Sequence, residues 1–247
     1  MAKKLAIFPD VHAPYHSESA VECAIKITRW YKPDRIIILG DFLDCLPLSS
    51  HNPDSVLERA GVSMQHEFDV GNRLLDRLVS ICPDFVYLAG NHETRAGKYI
   101  DKHPEVRGLV EHYNGLCFKD RRKAGQVIKS YEYNECHKEG RLYFTHGCYT
   151  NQHHAQKHVS MYGRNVIYGH THTYQAHTHA SPIDISCKHM AMSLGCLCDR
   201  NPSYMRNAPS GWVHCLGLAH IRDNGNFNID PIIISDGVAS YAGKVFE

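Results

Sequence analysis

Five short apolar runs in this sequence are each followed at once by a motif of histidine, aspartate or asparagine. Such runs, rich in β-branched or aromatic residues and bounded by Gly, Asp or Asn, are typical of buried strands. The carboxyl ends of parallel strands lie at one edge of an α/β sheet, so we expect the motifs to converge there. The runs are Leu5–Phe8, Ile36–Leu39, Phe85–Leu88, Leu142–Phe144 and Val166–Tyr168, and the motifs are Asp10-Val11-His12, Gly40-Asp41-Phe42-Leu43-Asp44, Gly90-Asn91-His92-Glu93, Thr145-His146-Gly147 and Gly169-His170-Thr171-His172.

These motifs supply every ligand type that two divalent cations need, and they contain no thiolate. Carboxylate, imidazole and amide oxygen suit borderline ions such as Mn²⁺, Zn²⁺ or Fe²⁺. A carboxylate shared by two such ions holds them about 3.5–4 Å apart, the spacing that serves an in-line displacement at phosphorus. Bound metal also lowers the pKa of water, so a hydroxide shared by the two ions is a nucleophile at neutral pH. The motifs therefore predict a dinuclear hydrolytic centre.

The order of the motifs, from Asp10 to His172, resembles that of the calcineurin-like metallophosphoesterase superfamily. The resemblance implies an α/β fold in which two sheets form a β-sandwich flanked by helices, with a dinuclear metal site at the carboxyl ends of the strands. It also implies hydrolysis of a phosphate mono- or diester by a metal-bridging hydroxide. We expect one metallophosphoesterase domain over 1–247. The implied cofactors are two divalent ions, preferably Mn²⁺, with Zn²⁺ or Fe²⁺ as alternatives.

The same resemblance assigns roles to individual residues. His92 would stand beside the metals as the general acid that protonates the leaving oxygen. Asp44 matches the family position that orients this histidine, although a plain turn residue is the alternative. The purple acid phosphatase branch usually has a ligating tyrosine there, so Asp44 argues against that branch. The expected ligands are Asp10, His12 and His172 for the first ion, Asn91, His146 and His170 for the second, and Asp41 as the bridge.

Substrate recognition is predicted at two places outside the ligand set. Arg95 could hold a phosphate oxygen through its guanidinium, or equally form an ion pair with a neighbouring carboxylate. The long polar loop Gly195–Trp212 carries Tyr204, on whose ring a base could stack, and Arg206, which could meet a further phosphate. Trp212 either offers a second stacking face or packs beneath the second sheet.

Composition narrows the class of substrate. The net charge of +1 gives no global basic field for duplex nucleic acid. We therefore favour a small nucleotide or a nucleic-acid end as the partner, and we keep a phosphoprotein as an alternative. A catalytically dead scaffold of the same fold is the alternative from another class. Such proteins usually lack the acid histidine or several ligands, and this sequence has them all.

The sequence also bears on location. It contains no signal-peptide pattern and no apolar run of membrane-spanning length, so we expect a cytoplasmic protein without a membrane partner. The stretch after His172 weakly resembles small phage-encoded members of the superfamily, which would place the protein in the host cytoplasm.

Apolar spacing and turn signals predict the remaining elements. Helices are expected over 17–31 and over 63–80, and a shorter helix over His103–Tyr113. The basic run Lys119–Lys123 is predicted to be a solvated turn, with a nucleic-acid contact as the alternative. Three strands after the last motif are expected to extend a second sheet, and they are Met190–Leu194, Val213–Ile221 and Phe227–Ile234.

The histidines and cysteines outside the motifs have ordinary interpretations. Cys23 and Cys82 lie on apolar helix faces and are predicted to be buried free thiols. The close pair Cys196 and Cys198 would need two more ligands to form a zinc site. Metal buffering is a second possible role for a histidine-rich stretch, but we favour surface or supporting histidines; its members are His153, His154, His158, His177 and His179.

Overall fold

A computed structural model describes residues 2–50, 61–184, 188–202 and 210–247 of the 247-residue chain. The first sheet has the order β11-β10-β1-β2-β3-β4. Strands β1 to β4 run parallel to one another, while β10 pairs antiparallel with β1 and β11 antiparallel with β10. These strands are β1 (Lys3–Phe8), β2 (Arg35–Ile38), β3 (Asp84–Leu88), β4 (Val127–Tyr131), β10 (His214–Ile221) and β11 (Phe227–Ile234).

The second sheet has the order β5-β6-β7-β9-β8. Its three central strands, β6, β7 and β9, are parallel, and an antiparallel strand closes each edge. A separate C-terminal hairpin is formed by β12 and β13. The bounds are β5 (His137–Glu139), β6 (Leu142–Phe144), β7 (Asn165–Tyr168), β8 (Tyr174–Ala180), β9 (Lys188–Leu194), β12 (Ala239–Tyr241) and β13 (Lys244–Phe246).

Helices cover the outer faces of both sheets. Those on the first sheet include the two longest in the described residues, and one helix packs on the second sheet. The helices are α1 (Glu18–Tyr31), α2 (Met64–Val79), α3 (Thr94–Ile100), α4 (His112–Gly115), α5 (Phe118–Lys123) and α6 (His154–Tyr162), with 3₁₀ turns at Leu46–Leu48 and Pro104–Val106.

Alternation along β1 shows why the sheets stack as they do. Leu5 and Ile7 point into a core shared with the second sheet, where they meet Phe144 and Leu194. Side chains alternate across a strand, so Ala6 and Phe8 point the other way, into the core beneath the helices. Both faces are buried, which explains the continuous apolar runs. The predicted two-sheet sandwich flanked by helices is confirmed.

The predicted helices have mixed outcomes. Those over 17–31 and 63–80 are confirmed as α1 and α2, and each is capped by a serine hydroxyl, from Ser17 and Ser63. The helix expected over His103–Tyr113 is wrong, because a 3₁₀ turn and only the first residues of α4 lie there. The basic run Lys119–Lys123 is not a turn but lies in α5, whose buried Phe118 anchors it to the core.

One prediction about the C-terminal strands needs correction. The strand expected over Met190–Leu194 does join the second sheet, as β9. Val213–Ile221 and Phe227–Ile234 were expected there too, but β10 and β11 extend the first sheet beside β1. Apolar patterning shows that a strand is buried but not which edge it pairs with. Strands β10 and β11 are consecutive and pair antiparallel as a hairpin.

The two thiols that the sequence places on apolar helix faces are found as predicted. Cys23 and Cys82 are buried and free. Among the described residues, no helix is both long enough and apolar enough to cross a membrane.

A buried arginine links the two sheets at the end opposite the motifs. Arg35 opens β2 and donates two hydrogen bonds of 2.7 Å to Asp84 at the start of β3. Its guanidinium also contacts Glu139 of β5, in the second sheet, which Lys3 binds at 3.0 Å. Burial raises the pKa of Glu139, but hydrogen bonds from His137, Lys3 and Arg35 outweigh this effect and lower it to about 2.

Arg35→Ala should lower the free energy of unfolding by about 3 kcal/mol, the lower end of the range for a broken buried pair. Asp84 loses its partner in a partly buried cluster, while Glu139 keeps Lys3 and His137. Arg77→Ala is the matched control, since the Arg77–Glu22 pair is exposed, and it should cost about 1 kcal/mol or less. Urea unfolding at neutral pH measures both.

The difference between wild type and Arg35→Ala should also depend on pH. The pKa of Glu139 lies below its ordinary value of 4.5, so its contribution is complete above that pH and is lost as the pH falls towards 2. Two results would contradict a structural role for the cluster. One is an equal loss of unfolding free energy in Arg35→Ala and Arg77→Ala. The other is a difference in unfolding free energy between wild type and Arg35→Ala that stays constant as the pH falls.

Candidate metal centre

The backbone turns sharply where the expected ligands lie. Residues with positive φ are uncommon outside glycine, and each costs roughly 1–2 kcal/mol relative to the ordinary right-handed conformation. Such strain tends to cluster at functional sites. Five of the seven expected ligands adopt it: Asp10 (φ 38°), His12 (φ 53°), Asp41 (φ 46°), His170 (φ 68°) and His172 (φ 58°).

Two motif glycines let carboxylates from other loops pass close by. A Cβ at Gly90 would collide with the Asp41 carboxylate, and one at Gly169 would collide with the Asp10 carboxylate. The space taken by these carboxylates therefore explains why the motifs after β3 and β7 begin with glycine.

The first group of donor atoms comes from both sheets. Asp10, His12, Asp41 and His172 are buried, and their ligand atoms all lie within 4.8 Å of one another. The Nε2 atoms of His12 and His172 face each other at 3.1 Å, and Asp10 Oδ1 lies 3.4 Å from His172 Nε2. Two imidazole nitrogens this close, beside a carboxylate, are a donor set that a divalent cation would satisfy.

The second group shares one residue with the first. Ligand atoms of Asp41, His146 and His170 lie within 4.8 Å of one another, and Asn91 Oδ1 is 2.9 Å from His146 Nε2. The Oδ2 atom of Asp41 stands 3.3 Å from His146 Nε2 and 3.7 Å from His12 Nε2. One carboxylate oxygen therefore lies between the two groups. The donor sets and their shared carboxylate fit two ions, and the assignment of these residues as ligands stays a prediction.

Hydrogen bonds on the far side of the rings favour this arrangement. His12 Nδ1 lies 3.0 Å from Asp44 Oδ2, and His146 Nδ1 lies 3.0 Å from the carbonyl oxygen of Leu39. These acceptors favour the tautomer in which Nδ1 carries the proton, and in that tautomer the Nε2 lone pair of each ring is free for a metal.

His92 lies beside the first group and outside both donor sets. Its Nδ1 is 2.8 Å from the carbonyl oxygen of Asp44, and its ring meets His12 edge-on at 4.4 Å. The Asp44 carboxylate is farther from His92, at 3.6 Å, because it binds His12 instead. Asp44 therefore orients His92 through its backbone and His12 through its side chain, a division that the sequence did not predict.

The electrostatics of the rings differ. Burial lowers the pKa of His92, but Asp41 and Asp44 outweigh it and raise the pKa overall. Burial, followed by the neighbouring His92, lowers the pKa of His12. Burial and then His146 lower the pKa of His170. At His146 the carboxylate of Asp41 overcomes burial and raises the pKa, so a metal bound there would displace a proton.

The predicted substrate-binding residues have different outcomes. Arg95 Nη1 donates to the carbonyl oxygen of Asp44 at 2.8 Å and lies 3.4 Å from its carboxylate, so the ion-pair alternative is what the structure shows. Tyr204 and Arg206 lie outside the described residues. Trp212 meets His172 edge-on at 4.2 Å and is partly buried, so it lines the centre rather than packing beneath a sheet.

Three residues near the centre had no predicted role in it. Glu93 is buried between loops, and Cys198 Sγ lies 3.7 Å from His172 Nδ1. Tyr133 follows β4 and meets His146 at 6.0 Å between ring centroids. For Tyr133 a signal existed, since it follows a strand just as the ligands do. Cys198 does lie near His12 and His172, but the thiol is buried and its pKa is raised, first by Cys196 and then by burial.

The histidine-rich stretch does not form a metal tract of its own. His154 and His158 are buried, and each bonds within the fold, to Tyr168 and to the backbone of α6 respectively. Of the metal-competent groups found in the described part of the chain, none contains these two histidines or His153, His177 or His179.

Comparison with known families and structures agrees with this geometry. A model of the calcineurin-like phosphoesterase family matches residues 3–207. No curated protein sequence matches the chain.

Solved structures of similar architecture include vacuolar protein sorting 29 from Cryptosporidium parvum, with a TM-score of 0.52 and 11% identity, over 99% of this chain and 98% of that one. A single mutant of Vps29 from Entamoeba histolytica gives a TM-score of 0.50 and 12% identity over 99% of both chains. YfcE, a phosphoesterase from E. coli, gives 0.43 and 15% over 90% of this chain and 93% of its own. At such identities the first two comparisons show the fold alone.

Both oxygens of the Glu93 carboxylate accept several hydrogen bonds, and a glutamine side chain has only one oxygen that could accept them. One oxygen accepts two backbone N–H groups, and the other accepts two more together with a tyrosine hydroxyl. The donors are Asp41 N at 3.1 Å and Gly90 N at 2.7 Å to Oε2, and Phe42 N at 2.9 Å, Leu43 N at 3.0 Å and Tyr87 Oη at 2.8 Å to Oε1.

Glu93→Gln should therefore leave at least two buried N–H groups without an acceptor and cost about 3 kcal/mol or more in urea unfolding of the metal-free protein. Glu67→Gln is the matched control. Glu67 is also buried, but each of its oxygens accepts one backbone N–H, from Cys45 and from Leu46, and burial raises its pKa to about 8, so the loss at neutral pH should be at most half as large. Equal losses would show that Glu93 has no special part in fastening the loops.

Proposed function

Because this chain belongs to the calcineurin-like phosphoesterase family, we propose that it is an active, dinuclear metal-dependent phosphoesterase. One observation carries the proposal: a single carboxylate, that of Asp41, lies within ligand distance of both donor groups. Asp10, His12 and His172 would hold one divalent ion, and Asn91, His146 and His170 the other. We propose Mn²⁺ as the preferred ion, with Zn²⁺ or Fe²⁺ as alternatives that suit the same oxygen and imidazole donors.

The bound ions would supply Lewis acidity towards the phosphoryl oxygens and lower the pKa of water, so that hydroxide is available at neutral pH. The residues of the chain position the rest of the reaction. His92 Nδ1 is anchored on the carbonyl oxygen of Asp44, and Nε2 lies 3.8 Å from Asp41 Oδ2 and 3.1 Å from Arg95 Nη2. Once Arg95 releases Nε2, His92 could protonate the leaving oxygen. Arg95, beside it, could bind a non-bridging oxygen.

We propose a nucleotide or a nucleic-acid end as the substrate, and a phosphoprotein as the alternative. The net charge of +1 offers no extended basic field for a duplex. A binding-only role would tolerate the loss of His92 or of several ligands, and the chain keeps all of them. A cytoplasmic location remains our expectation.

Metal stoichiometry tests the proposed centre directly. After metal removal and reloading with Mn²⁺, we expect two ions per chain by elemental analysis, and one or none in an Asp41→Ala variant that still folds by circular dichroism. The loss follows because Asp41 is the carboxylate common to both groups. Gln65, an exposed residue of α2 that donates a hydrogen bond to Asp69, provides the control: Gln65→Ala should keep both ions. A single ion in the wild type at saturating Mn²⁺ would overturn the dinuclear proposal.

His92→Asn should keep the metals and lose turnover by roughly 10²–10⁴-fold, the usual contribution of a general acid. The loss should shrink for nitrophenyl esters, because a good leaving group needs little protonation, and it should be larger for alkyl esters. Steady-state kcat values over such a leaving-group series measure this dependence. If the variant instead loses its metals, or loses the same factor on every ester, His92 is not the acid.

A further inference from the structure

Tyr133 lies at the same edge of the first sheet as the metal ligands. Strand β4 is parallel to β3, so its carboxyl end points to the edge where the β3 motif with Asn91 lies. Tyr133 is two residues past the end of β4. Its ring centroid is 6.0 Å from that of His146, the histidine that belongs to the second donor group. The topology therefore places an aromatic side chain at the second-group end of the centre.

The ring of Tyr133 is placed to contact a bound molecule. It is only partly buried, and it meets His146 at an interplanar angle of 61°, so the histidine does not cover its face by stacking.

The opposite end of the centre holds different chemistry. His92 and Arg95 lie beside the first donor group, where His92 meets His12 edge-on. Trp212 also lies there, two residues before β10, against His172. A phosphoester bound across the ions would direct its leaving oxygen towards His92, so the part of the substrate that stays on phosphorus is free to extend towards Tyr133.

Resting on the phosphoesterase function proposed above, we infer that Tyr133 determines specificity by stacking against a planar group on the retained arm of a phosphodiester, such as the base of a nucleoside. A diester is required because a monoester has no organic arm besides the one that leaves. Stacking on an aromatic ring accepts any base, so the expected selectivity is for a planar group rather than for one sequence.

Two diesters with the same leaving group isolate this contact. Thymidine 5′-(p-nitrophenyl) phosphate and methyl p-nitrophenyl phosphate both release nitrophenolate, and they differ only in the retained arm. The readout is the ratio of their kcat/KM values with the Mn²⁺-loaded protein. Any change in metal content or in chemistry affects both esters alike and cancels in that ratio.

Tyr133→Ala should lower the ratio by about 5- to 150-fold, the range that base stacking on one aromatic ring supplies. Tyr133→Phe should keep most of it, since the ring remains. Two controls should leave the ratio unchanged: Tyr241→Ala, at the C-terminal hairpin beside Trp30, and Trp30→Leu, on the outer face of α1. Trp212→Leu should lower both kcat/KM values together, because its contact lies on the side of the shared leaving group.

The possible failures are distinguishable. If the wild type cleaves neither ester with Mn²⁺, the phosphoesterase proposal falls, and this inference falls with it. If both esters are cleaved but the ratio is near one, or Tyr133→Ala does not change it, phosphoesterase activity stands and Tyr133 does not read the substrate. If Tyr133→Phe falls as far as Tyr133→Ala, the hydroxyl and not the ring is responsible. If Trp212→Leu lowers the ratio and Tyr133→Ala does not, the retained arm lies at the Trp212 end of the centre and the inference is wrong.

Discussion

Hydrogen bonds from backbone amides to buried carboxylates hold the centre together, and the Glu93 side chain makes the largest share of them. Its two oxygens fasten the loop after β2 to the loop after β3. In the other direction, the Asp41 carboxylate accepts a hydrogen bond from the backbone N–H of His92 at 2.8 Å. The Asp10 carboxylate accepts one from the backbone N–H of His170 at 2.8 Å. A buried carboxylate without such donors would be costly, so each loop can keep its conformation only while its neighbours keep theirs. The strained left-handed residues persist because the loops constrain one another.

This mutual fastening explains why the centre lies at the junction of the sheets. Strands β1, β2 and β3 are adjacent and parallel, so their loops supply Asp10, Asp41 and Asn91 side by side. The second sheet contributes His146 after β6 and His170 after β7. The apolar core between the sheets fixes their separation, and thereby the distance between donors that come from different sheets. At the other end of the sandwich, the ion pairs of Arg35 with Asp84 and Glu139 also hold the two sheets together.

The sequence was sufficient for the local part of this arrangement. Runs of β-branched residues followed by ligand-type side chains identify strands β1, β2, β3, β6 and β7 and their polar ends, because both signals are contiguous in the chain. It was insufficient where a partner is distant. Strand β10 is as apolar as an interior strand of either sheet, so nothing in its own sequence indicates that it pairs with β1. Strand β8 was missed because an exposed edge strand can be polar. The five acceptor contacts of Glu93 depend on burial between loops, which periodicity does not encode.

The hydrogen bonds of His92 set a condition on how it can act. Arg95 Nη2 lies 3.1 Å from His92 Nε2, and a guanidinium has only donors, so this contact exists only while Nε2 carries no proton. Nδ1 is already committed to the carbonyl oxygen of Asp44. A proton on Nε2 therefore requires Arg95 to turn away, and the nearby carboxylates, which raise the pKa of His92, favour that proton. For His92 to act as the proposed general acid, Arg95 must therefore leave the position that it holds in this structure.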